Sequence, residues 1–155
     1  MGTLSRHKKE KKEAEKFYKS VKELRCPYFS NPVNFTSDGF HHLQFSNGSE
    51  RTKDEQLLKF SLLKDAVDII KKSGTIQEYR KQWGVVSRKK KNGEQPMKEI
   101  EYFGLTAITG TTTKRKIKVI LRKIGTGNVI FWSVMFGDRR NKDTYHLANP
   151  EIDNS

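Results

Sequence analysis

The sequence predicts an α+β domain, with N-terminal helices followed by a roughly four-stranded antiparallel sheet. Three observations carry the prediction. Apolar residues recur at helical spacing in residues 6–24 and again in residues 57–70. Near Trp83 the period changes to the two-residue alternation of strands. Two runs rich in β-branched and aromatic residues, 114–124 and 129–136, flank Gly125, Thr126, Gly127 and Asn128, which reads as a hairpin around a glycine-rich turn.

In residues 6–24 the apolar stripe is Ala14, Phe17, Tyr18, Val21 and Leu24, and the first turns lack an apolar face. Arg25, Cys26 and Pro27 end this helix, because the residue before a proline disfavours helical backbone. Two placements fit it: a helix lying on the domain, or an arm that detaches to bind nucleic acid or protein. Residues 33–36 read as a short strand, Ser37, Asp38 and Gly39 as a turn, and residues 46–51 as a loop. Thr52 and Glu55 have the form of a capping box, which satisfies the open amides of a helix start. The apolar face that follows, over residues 57–70, is too broad for one straight surface helix and predicts a bend near Leu63, Lys64 and Asp65. Lys71, Lys72, Ser73 and Gly74 read as its end. Thr75 and Glu78 offer a second capping box, for a short helix to about Lys81. Residues 83–87 and 100–108 then read as strands, joined by a basic hairpin loop centred on Asn92 and Gly93. The chain divides into a basic helical arm at 1–30, a domain at 31–137 and a polar tail at 138–155.

Net charge is +13, with 32% of residues charged and 34% hydrophobic. That balance favours a polyanionic partner, nucleic acid before acidic protein or membrane surface. Cys26 is the one cysteine, so an internal disulfide is excluded and a cysteine-based metal site is not expected. No apolar run reaches the length of a membrane span, and the N-terminus lacks a signal-peptide apolar region. A cytoplasmic protein is expected.

Motifs for nucleotide, metal or serine-hydrolase chemistry do not fit. Gly125-Thr126-Gly127 precedes a strand rather than a helix, and His41-His42 has no further ligands at metal spacing. No cofactor and no metal are expected. The residues do suit metal-free cleavage of RNA, whose own 2′-hydroxyl is the nucleophile. That reaction needs a proton acceptor, a proton donor and fixed positive charge near the scissile phosphate. A histidine after Asp38-Gly39, with Lys118 and Arg122 on one strand face, could supply all three. Adjacent residues diverge on either kind of element, so His41 and His42 do not point into one site. Arg122 is favoured over Lys123 because a guanidinium holds two phosphate oxygens at once. Alternation along the return strand puts Val129, Phe131, Ser133 and Met135 on one face, opposite Ile130, Trp132 and Val134. The alternative for this hairpin is an edge position with its cations reaching out to water. Arg88, Lys89, Lys90 and Lys91 fit either a solvated charge run or contact with an RNA backbone. Lys123 and Arg80 are further RNA-contacting candidates.

Five segments together resemble a family. They are Asp38-Gly39-Phe40-His41-His42-Leu43, the Leu-rich helical region 57–70, Glu78-Tyr79-Arg80, residues 102–108 and residues 118–135. In this order they resemble the BECR ribonucleases, the superfamily of barnase, EndoU, the colicin-type tRNases and the RelE-like toxins. They are closest to its small phage and mobile-element toxin-like members. The resemblance covers about residues 33–136, and the terminal hairpin is its most specific part. It implies helices followed by a four-stranded antiparallel sheet, with the motif histidine at His42 rather than His41. It further implies a metal-independent endoribonuclease toxin of a toxin–antitoxin system, cleaving mRNA or tRNA by 2′-hydroxyl attack. The implied site residues are His42, Arg122, Lys118 and Ser133, and the implied protein partner is an acidic antitoxin. Members of the superfamily exchange their catalytic residues, so fold and chemistry are separate inferences. The competing reading is a non-catalytic basic regulator that binds nucleic acid through the same sheet.

Overall fold

Helix formation in the first residues depends on one face of the helix finding the core. The computed structural model describes residues 2–85, 97–110 and 112–137. Helix α1 spans Thr3–Val21 and buries His7, Ala14 and Tyr18, which recur at intervals of two turns and one turn on one face. It therefore begins and ends about three residues earlier than the sequence suggests. Lys22, with φ of 61°, breaks it before Pro27 is reached, and strand β1 (Glu23–Leu24) follows. Of its two placements the structure has the packed one. The Tyr18 hydroxyl donates to the Thr36 carbonyl at 2.6 Å, and the same core unites Ala14, Tyr18 and Cys26 with Val33, Phe35 and Phe131. The core thus runs without a break across residue 30.

Strand β2 is Val33–Asn34, and helix α2 is Ser37–Gln44. The turn expected at Ser37, Asp38 and Gly39 is instead the first turn of this helix. Asp38 favours a helix N-terminus, and burial of Phe40, His42 and Leu43 stabilises a segment too short to be helical alone. The expected loop at 46–51 contains a small hairpin, β3 (Phe45–Ser46) and β4 (Ser49–Glu50). Its turn residues Asn47 and Gly48 both have positive φ, the geometry that an Asn-Gly pair adopts at least cost.

Helix α3 (Lys53–Ser61) starts at the predicted cap, where the Glu55 amide donates to Thr52 Oγ1 at 3.2 Å. The predicted bend falls at Leu62, one residue before the expected site, and α4 (Leu63–Lys72) continues from it. The short helix expected to about Lys81 is absent. Strand β5 (Glu78–Val85) occupies that segment. Gln77 commits the backbone to the sheet, donating from its amide to the Gly104 carbonyl and accepting the Thr106 amide on its side chain. Eight consecutive pairings with the neighbouring strand then outweigh a single turn of helix.

Strands β6 (Met97–Thr109), β7 (Arg115–Ile124) and β8 (Val129–Phe136) complete an antiparallel meander with β5. The sheet is larger than the four strands expected. Its order is β1-β2-β8-β7-β6-β5, with β2 parallel to β8 at Asn34 and Ile130. A bulge interrupts the last hairpin: Ile120 pairs with Ser133 but Leu121 pairs with Phe131, so Trp132 is the extra residue. Strict alternation therefore fails in β8. Val134 joins Val129 and Phe131 in the main core, while Trp132 and Met135 pack on the second face with Ile100, Tyr102 and Ile120. Helix α4 covers the main core over β6 and β7. Among the described residues no helix is long and apolar enough to cross a membrane. The basic run Arg88 to Lys91 and its Asn92-Gly93 loop, and the tail at 138–155, lie outside the described residues.

Gly39 is where α2 meets β8. A Cβ there would overlap the Phe131 carbonyl oxygen and the Tyr18 hydroxyl, and backbone on one side of that contact cannot yield cheaply. Gly39→Ala should lower stability by about 1–3 kcal/mol, the usual cost of overpacking. Urea unfolding midpoints measure this, and an unchanged midpoint would refute so close an approach.

Candidate functional site

The face of the sheet away from α4 is organised in cross-strand rows. One row runs Arg80, Tyr102, Arg122 and Ile130, and the next runs Glu78, Gly104, Ile120 and Ser133. Directly opposed residues in antiparallel strands point to the same side, so both rows share this face, where Tyr102, Ile120 and Ser133 are buried. Lys118, opposite Met135, lies one row further on.

Arg122 sits among aromatic rings. Its guanidinium carbon is 4.1 Å from the Trp132 ring centroid and 5.7 Å from that of Tyr102. His42, reaching over from α2, stacks on Trp132 with centroids 4.1 Å apart and planes 17° apart. Two planar groups at that distance cannot share one ring face, so His42 and Arg122 take opposite sides of the indole. Bulging out of register is what turns Trp132 towards both. Arg122 Nε and Trp132 Nε1 are buried and have no hydrogen-bond partner among the described residues. Trp132 is itself partly buried against the second apolar cluster.

His42 is buried, and its pKa is pushed down to about 3. Desolvation is the largest cause, followed by the positive charges of Arg51, Lys59 and Arg122 and then by His41. The ring is therefore neutral at physiological pH and a weak proton acceptor, which does not suit the proton-transfer role expected of it. His41 is exposed and stacks on Phe45, so the two histidines do point apart.

Lys118 is buried and bonded to Glu78, with 3.0 Å between Nζ and Oε2. Gly104 makes this possible, since a Cβ at 104 would press on the Glu78 side chain where it crosses the sheet. Lys118 thus carries a charge that Glu78 compensates. Ser133 is fully buried, and its Oγ accepts from Lys59 Nζ at 3.1 Å. Lys59 also donates to the Val134 carbonyl at 3.1 Å, so an α3 lysine holds the β8 backbone. Arg80 lies in the Arg122 row, two strands away. Lys123 pairs with Glu101 and Val129 and so faces the opposite side of the sheet from Arg122. The structure brings His42, Arg122, Lys118, Ser133 and Arg80 to one region and leaves Lys123 out. Four contributors escaped the sequence reading: Arg51, Lys59, Glu78 and Tyr102. Only Glu78 and Tyr102 carried a usable signal, as strand neighbours in alternation with Arg80 and Gly104.

No family model, curated protein or solved structure matches this chain.

The buried neutral His42 ties stability to pH. An unfolded histidine takes up a proton below about pH 6.5, whereas the folded one resists until about pH 3. The unfolded state binds more protons across that window, so stability contributed by His42 is full above it and is lost as pH falls. His42→Gln removes the term. Melting temperatures of wild type and variant should converge as pH drops from 7 to 4, and a constant difference would contradict the neutral burial.

Proposed function

We propose that this chain is a metal-independent endoribonuclease toxin of the BECR type, acting on RNA in the cytoplasm and restrained by an acidic antitoxin protein. The observation that carries the reading is Arg122, a half-buried guanidinium braced by Trp132 and Tyr102 on the sheet face that also holds Arg80 and the Lys118–Glu78 pair. Ring stacking leaves the N–H edges of a guanidinium free to hold phosphate oxygens. Net charge of +13 supplies the long-range attraction for RNA.

In this proposal Arg122 stabilises the charge that develops on the scissile phosphate. Glu78, one row away, is the proton acceptor for the attacking 2′-hydroxyl, and Lys118 beside it is the donor to the departing 5′-oxygen. His42 contacts the phosphate from the far side of Trp132. Ser133 is a positioning residue, through Lys59 and the β8 edge. Arg80 extends the cationic row along the RNA, and residues 88–91 are assigned to its backbone. Lys123 belongs to the other face and is dropped from the RNA contacts.

A second reading has its own observation. His42 is held neutral and Lys118 is neutralised, which suits a basic regulator that binds nucleic acid without chemistry. Single-turnover cleavage of a mixed RNA substrate in EDTA separates the two. The proposal expects cleavage that Arg122→Ala slows about a hundredfold or more while RNA binding persists. Wild-type rates in Arg122→Ala, or loss of cleavage in EDTA, would overturn it. Salt-sensitive binding with no cleavage at all would establish the regulator.

A further inference from the structure

Arg51 precedes α3 and grips His42 twice. Its Nε donates to the His42 carbonyl oxygen at 3.0 Å, and one terminal nitrogen lies 3.3 Å from His42 Nε2. The other terminal nitrogen pairs with Glu55 at 2.8 Å. A guanidinium has donors and no acceptor. The contact with Nε2 is therefore a donation from Arg51, and Nε2 must carry a lone pair.

We propose that Arg51 is a positioning residue that fixes His42 in the tautomer with its proton on Nδ1. Arg51 is itself well anchored. Its amide donates to the Gln44 carbonyl at 2.7 Å, and its carbonyl accepts from Gln56 Nε2 at 2.7 Å. Gln56 is fully buried and is held in turn by His7 of α1, 2.7 Å away. The Arg51 side chain is only 6% exposed, so its aim is set by packing rather than by water. Trp132 holds the ring plane from β8.

Among the described residues the charged side chains that act on the ring are cationic: Arg51 ahead of α3, Lys59 on α3 and Arg122 on β7, and His41 beside it on α2 acts in the same direction. None of them favours an imidazolium, and among the described residues Arg51 alone makes a hydrogen bond to the ring. Nδ1 makes no hydrogen bond among the described residues. His42 thereby becomes a neutral donor rather than a base: its free N–H is offered while its lone pair is occupied. Within the ribonuclease reading, on which this last step rests, Nδ1–H bonds a phosphate oxygen and the proton from the 2′-hydroxyl goes elsewhere. The tautomer itself does not depend on that reading.

Two-bond proton–nitrogen correlation spectra of the full chain, with nitrogen-15 in its histidines, read the tautomer directly. The His42 signals are assigned by their loss in His42→Gln. The expected result is a protonated Nδ1 and an unprotonated Nε2 from pH 8 to pH 5. In Arg51→Met the ring should titrate about one unit or more higher, because a nearby like charge is gone, and the Nε2–H form should appear. A wild-type spectrum showing Nε2–H, or an Arg51→Met spectrum identical to wild type, would overturn the assignment. Should Arg51→Met fail to fold, the wild-type spectrum alone decides. Absence of RNA cleavage alongside the expected spectrum would remove the ribonuclease reading and leave this inference standing.

Discussion

The arrangement of the second sheet face depends on how closely α2 can approach β8. Gly39 is the point of contact, and only a residue without a side chain lets the helix backbone rest against the Phe131 carbonyl. Around it Phe35 stacks on Phe131 at 5.0 Å, and Tyr18 from α1 packs against Phe35, Phe40 and Phe131. Three residues further along the same helix, His42 lies on the neighbouring surface and reaches the indole of Trp132. A helix displaced outward by one methyl group would move that ring off its partner. Core packing and site geometry are thus one constraint read at two places.

Charge on this surface is arranged by neighbours rather than by water. Lys118 meets a carboxylate, Lys59 meets a hydroxyl and a carbonyl, and Arg122 meets two aromatic rings. Each partner costs less than leaving the cation buried and bare. The rings differ from the other partners because they satisfy the face of the guanidinium and not its N–H edges. Arg122 therefore keeps hydrogen-bonding capacity that Lys118 has already committed to Glu78.

Much of the fold was legible because it rests on local signals. Thr52 and Glu55 mark a helix start by their own chemistry, and the residues around Gly125 to Asn128 mark a hairpin by turn preference and flanking alternation. The errors arose where tertiary pairing overrode a local cue. Thr75 and Glu78 look like a cap, yet Gln77 and the strand at 97–109 draw the segment into the sheet. Ser37, Asp38 and Gly39 look like a turn because glycine disfavours helices, and the reason for this glycine lies on a strand far along the chain. Asn47-Gly48 was a usable hairpin signal that went unread beside the more conspicuous Asn92-Gly93. For the site, alternation correctly grouped Lys118 with Arg122 on β7 but misplaced Val134, since a bulge has no local signature in this sequence. Arg51 and Lys59 were invisible, because nothing in a helix or its cap announces which distant side chain it will meet.

The parallel pairing of β2 with β8 has a consequence for assembly. Asn34 and Gly39 wait for Ile130 and Phe131, which lie more than ninety residues further along the chain. Contacts between such distant positions form late, since the intervening loop must close before they add stability. During synthesis the N-terminal helices emerge early and can collapse on one another. The surface uniting His42 with Trp132 and Arg122 has no counterpart in that intermediate. It comes into being only after β8 has left the ribosome and found its edge, so a truncated nascent chain carries the basic residues without their arrangement.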